Sequence, residues 1–475
     1  MDQPRVGLMT FGDQRQDMWE KLFGPLTEPR HKEAVEYLET LPVDLKAFKE
    51  VARSREEIDS QIDQLIAAGV EVFIAHIPCW SSPNLVARGV QRITLPTVLI
   101  TSRSPATHGT VGLLGAAGTL DQIGISHVRI REDFGTPAME EKLLPFIRAA
   151  GAKGRLQGET LGLFGGRSLG IDTGTFDPMQ WRSQFGVDVE HIDQLEIIRR
   201  AEMVNPERTR AMMEWLSENT GKIEYNDTRL TSDKLSFQVR CYLATKDIIS
   251  EKGLDFVAIK CMPDLTDHYI PQCISAAFLP GPFDAEGQKG AISMACEADG
   301  DGALTMEILK HISGGKPVLF GDVSHLNDET RTMYVPNCGA MCAWYAGRSD
   351  DPATSLKSVE LRPSVRPAGG ATVYFTAAPG PITLARLCRR SGHYRMIIVP
   401  GEAIEPAKEE LDTFIEARGK HQLPTAFVKV AFDFDRFVDE FGSNHISGVA
   451  GSYAKELEQF CRMSDVTPVV MGGDL

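Results

Sequence analysis

RSREEIDSQIDQLIAAGVEVFIAHI, residues 53–77, reads as a helix that runs into a strand. Ile58, Ile62, Leu65 and Ile66 recur at helical spacing between Arg53 and Ala68, which gives one apolar face. Gly69 then interrupts the pattern, and Val72–Ile77 (VFIAHI), apolar but for His76, reads as a strand. Alternation of such strands with amphipathic helical stretches predicts parallel strands joined by crossover helices. Two more runs of the same kind flank it, VGLMTF at 6–11 and LPTVLIT at 95–101, with a helical segment over Asp17–Leu41. The chain therefore begins as a doubly wound α/β unit.

A second series of the same texture starts near Thr160 with LGLFGG, after the Gly-rich basic stretch AGAKGR at 150–155. FVAIK at 256–260 and PVLF at 317–320 are further strands. A helix over Leu304–Ile312, stopped at Gly314-Gly315, precedes the latter. Beyond about residue 330 the texture changes. ATVYFTA, YRMIIVPG and TAFVKVAFDF are longer strand candidates with fewer helices between them. The expected class is α/β, with two parallel-sheet domains of Rossmann or flavodoxin type followed by a mostly β domain. The expected boundaries are 1–155, 156–312 and 313–475.

Composition narrows the function classes. The 475 residues carry 50 Lys and Arg against 65 Asp and Glu, a formal charge of −15. Nucleic acid and anionic membrane both reward a basic face, so neither is expected as a partner. No apolar run approaches a bilayer-spanning length, and MDQPRVGLMTFGD lacks the pattern of a secretory leader. Nine cysteines without paired CxxC spacing suit reduced thiols in the cytoplasm.

Parallel sheets place ligands beyond the carboxyl ends of their strands. Here those ends carry His76, Arg103, Gly165-Gly166-Arg167, Lys260 and Gly321-Asp322. Four passages are too polar and irregular to be plain connections. They are GGRSLGIDTGTFDPMQWRSQFGVDVEHIDQLEI (165–197), IKCMPDLTDHYIPQC (259–273), ACEADGDGALTMEILKHISGGKPVLFGDVSH (295–325) and FGSNHISGVAGSYAKELEQFC (441–461).

With GLLGAAGTLDQIGI at 112–125, these passages resemble, in order, the L-fucose isomerase family of the fucose/arabinose isomerase superfamily, and the resemblance covers most of the chain. It implies a metal held by a Glu, an Asp and a His. The passage matching CEADGDGA points to Glu297, LFGDVSH to Asp322, and NHISG to His445. Asp299 and Asp301 compete with Glu297 within two and four residues. The arabinose-type members use two Glu and two His, so Asp322 and the single motif His favour the fucose-type site.

The implied reaction is aldose–ketose isomerisation of a free monosaccharide through a cis-enediol. A divalent cation serves that chemistry as Lewis acid and template, and two carboxylates with one imidazole leave about three octahedral positions open. Mn²⁺ is the expected metal, with Mg²⁺ or Co²⁺ as alternatives. Glu297 and Asp322 are also the candidates for moving the proton. Arg15, Trp80, Asn444 and His268 are the candidate substrate contacts. The resemblance further implies a homo-oligomer, a hexamer in the family, whose N-terminal region, here with Arg15, reaches a neighbouring subunit's site. The substrates in view are L-fucose, D-arabinose, or an anionic hexose such as sulfoquinovose, for which Arg103, Arg167 and Arg15 are candidate cations. Two other readings stand beside it: a non-catalytic sugar-binding protein, and a nicotinamide-dependent oxidoreductase suggested by the GxxGxxG spacing of GTVGLLG from Gly109.

Overall fold

The computed structural model describes residues 3–417 and 422–472. Its contacts divide the chain into two compact units, Met1–Gly154 and Arg155–Leu475.

The first unit is a five-stranded parallel sheet of β1 (Arg5–Thr10), β2 (Asp44–Ala47), β3 (Val72–His76), β4 (Thr97–Thr101) and β5 (Val128–Arg131). Their spatial order, β2-β1-β3-β4-β5, is the flavodoxin-like one. β3 and β4 are buried along their whole length, in keeping with their largely apolar sequences VFIAH and TVLIT. The helix ahead of β3 spans Arg55–Ala67 and opens on a capping box, in which Ser54 Oγ accepts from Glu57 N and Glu57 Oε2 from Ser54 N. Its buried face is Ile58, Ile62 and Leu65, whereas Ile66 is 51% exposed. At about 100° per residue Ile66 falls off the stripe that the other three define, so its grouping with them is corrected.

GTVGLLG forms no phosphate loop. Gly109–Gln122 is a helix, and a Cβ at Gly109 or Gly112 would stand 2.7 and 2.9 Å from the carbonyl oxygens of Pro78 and Cys79. The glycine spacing belongs to a helix pressed against the chain beyond β3. His76, predicted as a polar strand end, is a core residue. It is bonded to Thr10 Oγ1 at 3.1 Å, and burial pushes its pKa down to about 3.

The second unit holds a parallel four-stranded sheet in the order Met294–Cys296, Phe256–Ile259, Thr160–Phe164, Asp188–Ile192. It also holds an eight-stranded sheet that is antiparallel apart from the pairing of Thr467–Val470 with His393–Ile404. In that sheet Val318–Asp322 is the edge strand, paired with His445–Ala450, which in turn pairs with Gly380–Arg390. A small third sheet joins Ala371–Tyr374, Glu360–Pro363 and Lys222–Ile223. TAFVKVAFDF is a strand only over Thr425–Lys429, because Asp433 caps a helix at Phe434–Glu440. Helix Gly300–Ile312 is buried at every residue and packs against both larger sheets.

Candidate active site

The strand Met294–Cys296 ends where the fully buried helix Gly300–Ile312 begins, and three residues make the turn. Glu297 and Ala298 both take left-handed backbone, φ +60° and +54°. For L-residues that conformation costs about 1–2 kcal/mol each, so the surrounding packing holds it in place. The reversal separates neighbouring carboxylates. Glu297 borders the cleft, while Asp299 turns back to cap the helix, accepting from Gly302 N at 2.8 Å. The alternating glycines of ADGDGA have a packing cause. A Cβ at Gly300 would stand 2.1 Å from the Phe176 ring, and one at Gly302 would stand 2.7 Å from both Arg386 and Phe320.

Asp322 and His445 come together by strand register, as direct partners across an antiparallel pair. The imidazole is buried, its ring centre 4.7 Å from that of Phe320. His445 Nε2 lies 2.9 Å from Glu297 Oε2 and 3.5 Å from Asp322 Oδ1. On the other side of the ring, Nδ1 is 2.7 Å from Asp299 Oδ2. Asp299 is in turn clamped by the buried Arg386, at 2.5 and 3.0 Å, and Arg386 also donates to Thr173 O at 2.8 Å.

Charge follows this geometry. Burial pulls the His445 pKa down, but the hydrogen bonds to Asp299 and Glu297, with the charges of Asp299 and Asp322, outweigh it and raise the value to about 9. Burial likewise pushes Asp299 up, yet Arg386 and His445 hold it well below the usual carboxylate range. An ionised Asp299 only accepts, so the proton of a neutral His445 resides on Nδ1 and Nε2 faces Glu297 and Asp322 with a free lone pair. Two oxygen donors and one oriented imidazole suit a divalent cation such as Mn²⁺ or Mg²⁺. The fit is one of donor type, with both carboxylates within 3.5 Å of Nε2.

Asp301 does not compete for that role. It is buried among Tyr394, whose hydroxyl donates at 2.7 Å, Trp181 and Arg389. Among the described residues, the group whose ligand atoms all lie within 4.8 Å of one another is a different one, Glu159, Glu307 and His311. There Lys310 pairs with Glu307, and His311 Nε2 lies 2.8 Å from Glu159 and 3.2 Å from Glu307.

The cleft measures about 880 Å³, and Glu297, Asp322, Met262, Cys338, Arg362 and Arg366 are among its walls. Asn444, next to His445, is exposed and accepts from Thr173 Oγ1 at 3.3 Å. His268 is exposed at the end of helix Asp264–His268 and is not among the residues lining the cleft. Arg15 and Trp80 belong to the first unit. Arg15 pairs with Asp13 at 2.6 Å, and Trp80 is half-buried beyond β3. Sequence reasoning missed Asp299 as the partner of His445, and it missed Arg386 and Arg366. An arginine inside the apolar run PITLARLC was the available signal for Arg386.

Comparison with known proteins bears on the same residues. Residues 3–158 match the family model of the first N-terminal domain of L-fucose isomerase, and residues 335–472 match that of its C-terminal domain. The chain belongs to the L-fucose isomerase family. His445 falls inside the C-terminal match, and Glu297 and Asp322 fall between the two matched segments. Within the family, the chain is 24% identical to a sulfoquinovose isomerase of Alkalicoccus urumqiensis over 91% of this chain and 90% of that one. It is 26% identical to a sulfoquinovose isomerase of Clostridium sp. (strain MSTE9), over 69% and 72%. An L-fucose isomerase of Bacteroides fragilis is 29% identical over 40% of this chain and 37% of its own.

Proposed function

We propose that the protein is a metal-dependent aldose–ketose isomerase that converts a free, anionic 6-substituted hexose, of which sulfoquinovose is the leading candidate, into its ketose through a cis-enediol. The observation that carries the reading is the convergence of Glu297, Asp322 and His445 Nε2 at one side of an open cleft. The near full-length similarity to the Alkalicoccus protein favours a sulfonated sugar over L-fucose or D-arabinose.

Glu297, Asp322 and His445 would hold the cation. When bound, Mn²⁺ (or Mg²⁺ or Co²⁺) would supply Lewis acidity to the sugar. The protein's own part is positional and acid–base. Asp299 and Arg386 fix the imidazole. Glu297 and Asp322, on the cleft side of His445, take the proton from C2 of the aldose and return one at C1, with proton transfer among the oxygens completing the ketose. Asn444 and His268 remain candidate substrate contacts. Arg15 is assigned to a site shared between subunits of a homo-oligomer, a hexamer on the family pattern, and Trp80 is kept as a candidate to stack on a sugar face. Nine free cysteines, eight of them buried, suit a cytoplasmic enzyme, and no described helix is long and apolar enough to cross a membrane.

The test is ketose formation, followed by NMR, from sulfoquinovose, L-fucose and D-arabinose. The protein is stripped with EDTA, then reloaded with Mn²⁺, Mg²⁺ or Co²⁺. Turnover that vanishes on stripping and returns with metal is expected. Sugar binding without turnover under every metal sinks the reading.

A further inference from the structure

The arginines expected to meet a substrate are tied to carboxylates. Arg103 faces Glu132, Arg167 faces Asp172, and Arg15 faces Asp13, so the three cations expected from sequence to meet an anionic substrate are each already paired. In the cleft wall Arg362 is paired as well, 2.7 Å from Glu360 and stacked on Tyr374 at 3.8 Å. Arg366 differs. Among the described residues its guanidinium has no carboxylate partner and no hydrogen bond, although it is only half exposed and borders the same cleft as Glu297 and Asp322.

Its backbone, by contrast, is firmly held. Arg366 N donates to Ser364 Oγ at 3.2 Å, and Arg366 O accepts from Gly369 N at 2.9 Å and from Arg229 at 2.8 Å. Ser364 N donates to Gly370 O at 2.8 Å. A fixed turn thus presents an uncompensated cation to the cleft. Ser364 Oγ, which accepts from Arg366 N and keeps its own proton to donate, and the amide of Gln422 border the same space. A guanidinium offers paired N–H donors that match the oxygens of a sulfonate, and neighbouring neutral donors complete such a set.

We propose that Arg366 is the specificity residue of this site, binding the anionic group on C6 of the sugar while Glu297 and Asp322 face its C1–C2 end. The inference rests on the isomerase reading above and names what that reading leaves open: how the cleft tells a sulfonated hexose from a neutral one. A neutral sugar leaves the guanidinium in water and gains nothing from it. A sulfonated one gains a charge-assisted pair in a partly desolvated wall.

The test compares sulfoquinovose with 6-deoxy-D-glucose, the same sugar without its sulfonate, on wild type, Arg366→Met and Arg366→Lys, all loaded with Mn²⁺. The ratio of kcat/KM for the two sugars is expected to fall roughly 10- to 100-fold in Arg366→Met, carried mainly by KM, and by less in Arg366→Lys. Because it is a ratio within one variant, partial unfolding does not mimic it. An unchanged ratio in Arg366→Met overturns the proposal. Should wild type turn over neither sugar, the isomerase reading fails by itself. Calorimetric binding of sulfoquinovose then decides for Arg366: binding weakened roughly tenfold or more in Arg366→Met upholds it, and equal binding overturns it.

Discussion

His445 Nδ1 stands 2.7 Å from Asp299 Oδ2, so the imidazole that faces Glu297 and Asp322 is oriented from behind by a carboxylate outside the cleft. Asp299 does three things at once. It caps the buried helix Gly300–Ile312, neutralises the buried Arg386, and holds the His445 ring. The helix start and the imidazole that faces Glu297 and Asp322 are therefore one structural unit.

Replacing Asp299 by Asn separates these roles. Asn caps a helix about as well as Asp, so the helix start survives. The charge opposite Arg386 and His445 does not. Breaking a buried ion pair from one side costs about 3–5 kcal/mol, and loss of an orienting partner weakens metal binding about 10- to 100-fold. Urea denaturation and Mn²⁺ titration measure the two losses. Unchanged Mn²⁺ affinity would show that Asp299 does not orient the ligand.

The metal-free protein is expected to lose stability as pH rises from neutrality. His445 titrates near 9 when folded, against 6.5 for the model imidazole. A raised pKa gives stability that is complete below about 6.5 and is lost as pH climbs through 9, in total about 3 kcal/mol. A cation on Nε2 displaces the proton there. Metal binding at pH 7 should accordingly release about one proton, and affinity should rise about tenfold per pH unit toward 9. Calorimetry in two buffers of different ionisation enthalpy reads this directly, and identical heats would contradict it.

What the sequence reveals about this fold and site has a physical limit. β3 and β4 are legible because strands buried along their whole length are mostly apolar, with His76, Thr97 and Thr101 only at their ends. Helix Arg55–Ala67 is legible from its spacing, though Ile66 could not be placed by spacing alone. GTVGLLG was ambiguous because glycines three apart serve a packed helix as well as a loop. Glu297, Asp299 and Asp301 are chemically alike on paper. Two left-handed residues, Glu297 and Ala298, send them to different surroundings, and such a turn without glycine leaves no mark in sequence. Whether an arginine is paired is also a tertiary property, which is why Arg366 was passed over for three arginines that have partners.

Gly302→Ala should be more damaging than a single methyl suggests. The added Cβ would stand 2.7 Å from Arg386 and from Phe320, and 2.9 Å from Asp299 Cγ, with all three neighbours buried. None of the three can retreat into solvent. Overpacking of this kind costs about 1–3 kcal/mol, and here the strain falls on the residues that hold His445. A fall in both urea midpoint and Mn²⁺ affinity is expected. A stability loss with intact affinity would mean that the clamp absorbs the shift elsewhere.

Asp301 offers the opposite case, a buried carboxylate whose charge the fold does not need. Burial, against the pull of Arg389 and Arg386, raises its pKa to about 6 from 3.8. The sign follows: the protonated acid favours the fold below about 3.8, and this advantage disappears as pH rises through 6, leaving an ionised group held among Tyr394 and Trp181. Asp301→Asn keeps an oxygen for the Tyr394 hydroxyl and removes the titration. It should raise the urea midpoint at pH 8 by an amount equivalent to about 1–2 kcal/mol, less than the full shift because Arg389 loses its partner. The variant should also flatten the stability profile between about pH 4 and 6. Turnover should persist, since Asp301 does not border the cleft. Destabilisation at pH 8 would instead show that the pair with Arg389, 3.3 Å away, outweighs the cost of burying the charge.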